Sequence, residues 1–190
     1  MAVYPAEQAP ALELTTISGE KINLADAAKD QDFTVVVFFR GVFCPICKMQ
    51  LQDIEENFEK LAENNMKVIA VSMDSKDNLI EFVKDVATNM GRSDSNDIKT
   101  TIAYGLPEKQ AREWGLYISE GRKGTREPAV FSEAGLFVIK PDNSVFMAQT
   151  QSAPFTRPST DQLIFGLSYA KEHNYPARGT LTAPAPALGQ

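Results

Sequence analysis

A four-residue run, Cys44-Pro45-Ile46-Cys47, joins a strand to a helix and leaves the chain little freedom in how it folds around that point. Immediately upstream, Phe33-Thr34-Val35-Val36-Val37-Phe38-Phe39 is a β-branched and aromatic run with the length of a buried strand. Downstream, Cys47, Leu51, Ile54, Phe58 and Leu61 recur at steps of four, three, four and three, which places them on one face of a helix from about 44 to 63. Proline is favoured at the first helical position, so Pro45 sets the register: Cys44 becomes the N-cap and Cys47 the third helical residue. The Cys44 sulfur can then accept a hydrogen bond from the backbone N–H of Cys47 or Ile46. The helix N-terminus adds a further preference for negative charge, about 0.3–1 kcal/mol in exposed settings. Both effects favour a thiolate, and dithiols of this kind reach pKa values of roughly 3.5–7. Cys44 is therefore the expected nucleophile. Cys47 opens the buried stripe, so its thiol should face inward and act second, as a resolving group.

These are the only two cysteines in 190 residues. The N-terminus, Met1-Ala2-Val3-Tyr4-Pro5-Ala6-Glu7, has neither a basic start nor an apolar segment, and no apolar run approaches the ~20 residues of a membrane helix. The expected location is cytoplasmic, where a close pair of cysteines is more often catalytic or redox-sensing than structural. A formal charge of −6 and a pI near 4.9 argue against nucleic acid or an anionic membrane as partner.

Along the chain, Leu12-Glu13-Leu14-Thr15 and Ser18-Gly19-Glu20 suggest a leading hairpin ending near Ile22. Lys67-Val68-Ile69-Ala70-Val71-Ser72 reads as a second buried strand, and Asp74 and Ser75 can cap a helix carried by Leu79, Phe82, Val83 and Val86. Gly91 to Asp97 and Glu120 to Glu127 read as polar loops. Pro107 suits the first turn of a short helix through Trp114, ended by Gly115. Gly135–Ile139 and Ser144–Ala148 flank Lys140-Pro141-Asp142-Asn143 as an antiparallel hairpin. Ser159 can cap a last helix to about His173, with Leu163, Ile164, Leu167 and Tyr169 as apolar positions. The expected architecture is α/β: a central mixed sheet with helices on both faces, residues 1–175 forming one domain and 176–190 a flexible Pro/Ala/Gly tail. Arg40 and Lys48 bring positive charge near the dithiol, and Arg40 could bind a peroxide or an anionic oxygen.

The sequence resembles the peroxiredoxin-like (alkyl hydroperoxide reductase / thiol-specific antioxidant) group of the thioredoxin-fold superfamily over roughly residues 10 to 173. Phe38-Phe39-Arg40-Gly41-Val42-Phe43-Cys44-Pro45-Ile46-Cys47 is similar to that group's strand-to-helix junction, with a glutaredoxin-like Cys-Pro-x-Cys. Ile102 to Leu116 resembles its short helix ending in an aromatic-glycine pair, and Gly135 to Asp142 its penultimate strand and turn. Pro154-Phe155-Thr156-Arg157 with Asp161-Gln162-Leu163 is similar to its arginine-bearing entry to the last helix. The departures are Val37 and Gly41, where the group's signature has proline and threonine, and Ala134, where it has an arginine. Without those side chains the usual peroxide-activating hydrogen bonds cannot form as they do there, leaving Arg40 or Arg157 as substitutes. The combination resembles a branch with a CxxC site, some members of which reduce peroxides, including prostaglandin endoperoxides.

What the resemblance implies is an antioxidant thiol oxidoreductase. Cys44 attacks, Cys47 resolves, Arg40 assists, and Pro45, Gly41, Phe43 and Arg157 shape the site. The substrate is a peroxide or a disulfide, the electron donor is of thioredoxin or glutathione type, no bound cofactor or metal is needed, and a homodimer is open. A general thioredoxin- or glutaredoxin-like disulfide reductase is the near alternative. A non-enzymatic redox sensor is the alternative of another class, with the 120–127 loop and the tail as its contacts. A zinc half-site shared between two chains and a cysteine–histidine hydrolase are weaker readings, since tetrahedral zinc needs four ligands and the one histidine, His173, falls near the end of the last helix.

Overall fold

The computed structural model describes residues 3–182. The last eight residues of the expected tail lie outside that range. At its centre is β3 (Phe33–Phe38), all six residues of which are buried. A strand covered on both faces reads as a continuous apolar run, which is why this one carries no alternation. It pairs in parallel with β4 (Met66–Val71), which pairs in parallel with β5 (Thr101–Tyr104). On its other side lies antiparallel β8 (Gly135–Ile139), followed by antiparallel β9 (Val145–Thr150) at the edge. The opposite edge is the leading hairpin, β1 (Glu13–Thr16) and β2 (Lys21–Asn23), with β1 antiparallel to β5. The sheet thus runs β2-β1-β5-β4-β3-β8-β9.

The strand pleat sorts the core into two sides. Val36, Phe38, Ile69, Val71, Phe137 and Ile139 pack with α1 (Leu24–Ala28), α5 (Glu108–Glu113) and the fully buried Trp114. Trp114 lies 5.2 Å from Phe38 and 4.9 Å from Phe137 between ring centroids, within the range of favourable aromatic pairs. Val35, Val37, Val68, Leu136 and Val138 face α2 (Pro45–Glu56), α3 (Phe58–Glu63) and α6 (Thr160–Glu172). Beside them, α4 (Lys76–Asn89) packs Leu79, Phe82 and Val83 toward Cys47 and Leu51.

Several expectations are corrected. The helix expected over 44 to 63 breaks at Asn57, whose side-chain amide donates to the Asp53 carbonyl at 2.9 Å and competes with the helical ladder. Phe58 consequently leaves the buried stripe and sits under Lys99. β5 was not foreseen, and neither was the small hairpin of β6 (Ile118–Glu120) and β7 (Val130–Ser132) that closes the 121–129 loop. Pro107 is the N-cap of α5, just ahead of its first turn, and Tyr169 is exposed, while Leu163, Ile164, Leu167 and Ala170 carry the inward side of α6.

One buried charge ties the site-bearing helix to the rest. The Glu55 carboxylate, on α2, accepts from the Lys99 N–H (3.1 Å), the Thr100 N–H (2.6 Å), the Thr100 hydroxyl and Arg92 Nη1 (2.8 Å). Burial pushes its pKa up, but these hydrogen bonds outweigh burial and hold it below 4.5. Glu55→Ala strands these donors and should cost about 2–3 kcal/mol, read as a lowered denaturation midpoint. Because the folded pKa lies below the unfolded one, this stabilisation is fully present above pH 4.5 and is lost as pH falls through the folded value. The gap between parent and variant should therefore shrink in acid, and a pH-independent gap would contradict the assignment.

Candidate active site

At the end of β3 the Phe39 N–H still donates to Val71 O (2.9 Å), after which the chain leaves the sheet. Residues 41 to 44 form a turn closed by the Cys44 N–H on Gly41 O at 3.1 Å. Cys44 is the N-cap of α2 with extended backbone (φ −101°, ψ 104°), Pro45 is the first helical residue, and the Cys44 sulfur accepts the Cys47 N–H at 3.3 Å. Both cysteines are free thiols. They are also both enclosed, at 1% and 2% exposure, so the apolar cluster of Phe39, Val42, Leu51 and Phe82 shields the whole dithiol and not Cys47 alone.

Enclosure acts on the two sulfurs differently. Cys44 is lowered to about 6 from an ordinary 9.0, chiefly by the hydrogen bond from the Cys47 thiol. Burial opposes this, while the Cys47 N–H and the charges of Arg157 and Arg40 support it. Cys47 is pushed well above 9.0, first by burial and then by donating its own hydrogen bond to Cys44, with Arg157 pulling the other way. The resulting order is one thiolate and one thiol near neutral pH.

The two candidate arginines meet different surroundings. Arg157, just before α6, places Nη2 3.3 Å from the Cys47 sulfur and Nη1 2.6 Å from Gln50 Oε1. Arg40 turns away from the sulfurs. Its Nε lies 3.2 Å from Glu133 Oε2 and its Nη2 3.4 Å from Glu127 Oε1, and its guanidinium lies over the rings of Phe43 (5.2 Å) and Phe131 (4.8 Å). Lys48 is paired with Asp85 at 2.5 Å. Phe43 meets Phe131 edge-on at 5.0 Å, joining the turn to β7. His173 caps the far end of α6, about 20 Å along the helix from Thr160, where it stacks on Tyr169 at 4.0 Å. Among the described residues no group of three histidine, cysteine or acidic side chains is placed to hold a metal, and no helix is long and apolar enough to cross a membrane.

Two neighbours of the site were not expected from sequence. Asp74, read as a helix cap, leaves that role to Ser75, whose hydroxyl accepts the Asn78 N–H, and turns instead to the dithiol turn. A Cβ on Gly41 would come 2.5 Å from Asp74 Oδ2, and Gly41 has φ +145°, a region that side chains rarely adopt. Gln50 follows Cys47 by three residues and borders a small cavity with Ala134, Gln149, Gln151 and Arg157. A polar residue one turn past a buried cysteine was the available signal for Gln50. For Asp74 it was an acid directly after the strand beside β3.

With the geometry in hand, the chain can be set beside known proteins. The model of the AhpC/TSA family matches residues 5–147. Peroxiredoxin 2 of Picrophilus torridus is 27% identical over 146 residues, covering 76% of this chain and 65% of that protein. The Bacillus subtilis (strain 168) protein YkuU is 22% identical over 143 residues, 73% of each chain. Among solved structures, peroxiredoxin 6 of Arenicola marina superposes with a TM-score of 0.77 at 16% identity, covering 99% of this chain and 80% of that one. A yeast mitochondrial 1-Cys peroxiredoxin gives 0.73 at 17%, covering 99% and 83%.

The turn itself yields a prediction. Gly41→Ala must displace either its own backbone or Asp74, and should cost about 1–3 kcal/mol in thermal or denaturant unfolding. A variant as stable as the parent would show that the turn accommodates a side chain freely.

Proposed function

The chain belongs to the AhpC/TSA family and so is a thiol-dependent peroxidase; within that activity we propose that Cys44 is the attacking thiolate and Cys47 resolves it as an intramolecular disulfide. The observation that carries this reading is the Cys44 sulfur capping α2 through the Cys47 N–H, with the less acidic Cys47 thiol donating to it. The Cys44 thiolate attacks the distal oxygen of the peroxide; an S–O bond forms as the O–O bond breaks, giving a sulfenic acid and an alkoxide (hydroxide from hydrogen peroxide) that takes up a proton. Cys47 then attacks the sulfenic sulfur, its proton leaves with the hydroxyl as water, and the Cys44–Cys47 bond forms. Two thiols of a thioredoxin- or glutathione-type donor return the pair to the dithiol.

Arg157 is the cation that touches the pair, and its bond to the Cys47 sulfur favours thiolate character there during resolution. Arg40, held by Glu127 and Glu133, contributes through its field. Pro45, Gly41 and Phe43 set the shape of the turn. We place the protein in a reducing, cytoplasmic compartment, where a close cysteine pair is more often catalytic than structural, with residues 1–175 as the catalytic unit and 176–190 appended.

Mixing reduced protein with one equivalent of hydrogen peroxide or an organic hydroperoxide, followed by stopped flow and mass spectrometry, tests the reading. Rapid thiol loss with a Cys44–Cys47 disulfide is expected, and loss no faster than for any low-pKa thiol would point to a disulfide reductase instead. Between the folded value of about 6 and the ordinary 9.0 the unfolded chain holds the extra proton, so reduced protein should gain stability as pH rises through that window. The oxidation rate should likewise rise with a midpoint near 6 and level off above it. A midpoint near 9 would contradict the thiolate assignment. Cys44→Ser should abolish turnover, whereas Cys47→Ser should halt at a sulfenic acid or mixed disulfide. Arg157→Ala should slow disulfide formation about tenfold or more, as loss of a charged donor costs at least 1.4 kcal/mol, and Arg40→Ala should do less. Equal losses in the two arginine variants would contradict this division.

A further inference from the structure

We propose that Asp74 is a positioning residue for Cys44, holding the turn that carries the nucleophile through the acceptor it offers the Val42 N–H and not through its charge. The inference rests on Cys44 being the attacking thiol. Its basis is the register of the sheet: Phe38 lies beside Val71, so the residues that follow each strand emerge side by side. Ser72 and Asp74 therefore abut residues 40 to 42. Ser72 Oγ donates to Arg40 O at 3.4 Å and accepts the Asp74 N–H at 3.0 Å. Asp74, 6% exposed, accepts the Val42 N–H on Oδ2 at 3.0 Å.

The carboxylate is itself held firmly. Its Oδ1 accepts the Ser75 N–H at 3.0 Å and Asn78 Nδ2 at 2.5 Å, and its carbonyl accepts the Gly105 N–H at 2.9 Å. An acceptor anchored on β4, α4 and the exit of β5 thus reaches one amide of the turn, two residues before Cys44. Within that turn Gly41 O takes the Cys44 N–H, so fixing Val42 fixes the direction from which Cys44 enters α2. Gly41 is the reciprocal half of the device, since any side chain there would occupy the carboxylate's place. Supporting groups of this kind set how closely a reactive atom keeps its geometry.

Charge and geometry make opposite predictions. Asp74→Ala and Asp74→Asn remove the same negative charge. Loss of a nearby anion alone would favour the Cys44 thiolate equally in both, lowering its titration midpoint. Three donors converge on the two carboxylate oxygens, and asparagine offers one oxygen. Facing it toward Val42 costs only the Ser75 bond, because the Asn78 amide can flip to accept from the new side chain. Asparagine therefore keeps the strut and alanine removes it. The other titratable or charged groups bearing on Cys44 are Cys47, through its hydrogen bonds, and Arg157 and Arg40, through their charge, and all three are common to both variants.

The full-length reduced chain is titrated by its ultraviolet thiolate absorbance and by the pH dependence of iodoacetamide alkylation at Cys44, localised by mass spectrometry. The Asp74→Ala midpoint should move up by about one unit, lowering the alkylation rate at pH 6 about fivefold, while Asp74→Asn stays at or just below the parent. Coincident behaviour of the two variants, or a midpoint that falls in Asp74→Ala, overturns the proposal. Amide hydrogen exchange in the parent decides independently of whether the alanine variant folds. The Val42 N–H should be protected there, and exchange at the rate of an open loop amide overturns the proposal. None of these readouts uses peroxide, so a failure of the peroxidase reading would appear separately.

Discussion

One hydrogen bond organises the reactive end of this protein: the Cys47 N–H directed at the Cys44 sulfur across the first turn of α2. It caps a helix that would otherwise begin with an unpaired donor, and it places negative charge on the sulfur where the helix favours it. The bond exists because β3 ends one turn earlier and Pro45 starts the helix without needing a donor of its own. A central strand buried on both faces gives that junction a fixed origin. Sheet, turn and helix therefore converge on the position of a single sulfur.

Burial then divides the pair. An enclosed thiol resists ionisation, and both sulfurs are enclosed. Cys44 receives compensation from the Cys47 thiol, the Cys47 N–H and two arginines, and falls to about 6. Cys47 spends its proton on Cys44 and is left with one compensating contact, from Arg157, which does not outweigh burial. The difference in acidity between the two thiols is thus a matter of who donates to whom, three residues apart at the start of one helix.

Much of this was legible in sequence, where short-range physics decides. The run 33–39, the register fixed by Pro45, the Ser159 cap of α6 and the turn at Lys140-Pro141-Asp142-Asn143 each depend on neighbours in the chain, and each could be read from them. What was not legible depends on distant partners. Thr101–Tyr104 has too few residues to announce a strand and becomes one because β4 and β1 flank it. Ile118–Glu120 and Val130–Ser132 pair across a charged loop that hides their alternation. The break at Asn57 turns on a side chain choosing a carbonyl over solvent. At the site, the placing of Cys44 as N-cap and Cys47 as its donor follows from spacing. The division between Arg40 and Arg157 does not, because Glu127 and Glu133 lie some ninety residues from Arg40, and Gln50 and Cys47 more than a hundred from Arg157.

The positions where the chain departs from its family's signature have a common physical logic. At 41 the side chain is missing, and the space is filled from the segment after β4 by the Asp74 carboxylate. At 134 an alanine stands where the family carries an arginine, and a guanidinium arrives from the entry to α6, steadied by Gln50 beside the cavity that Ala134 borders. A field at a sulfur depends on the distance and burial of the charge, not on which segment delivers it. Arg40 is the counter-example within the same site: close in sequence to both cysteines, it is ion-paired with two carboxylates, donating a hydrogen bond to Glu127 and lying 3.2 Å from Glu133. Arg157, distant in sequence, has one glutamine and one sulfur to serve. Of the two arginines, Arg157 is the one whose neighbours leave a donor free to reach a cysteine sulfur.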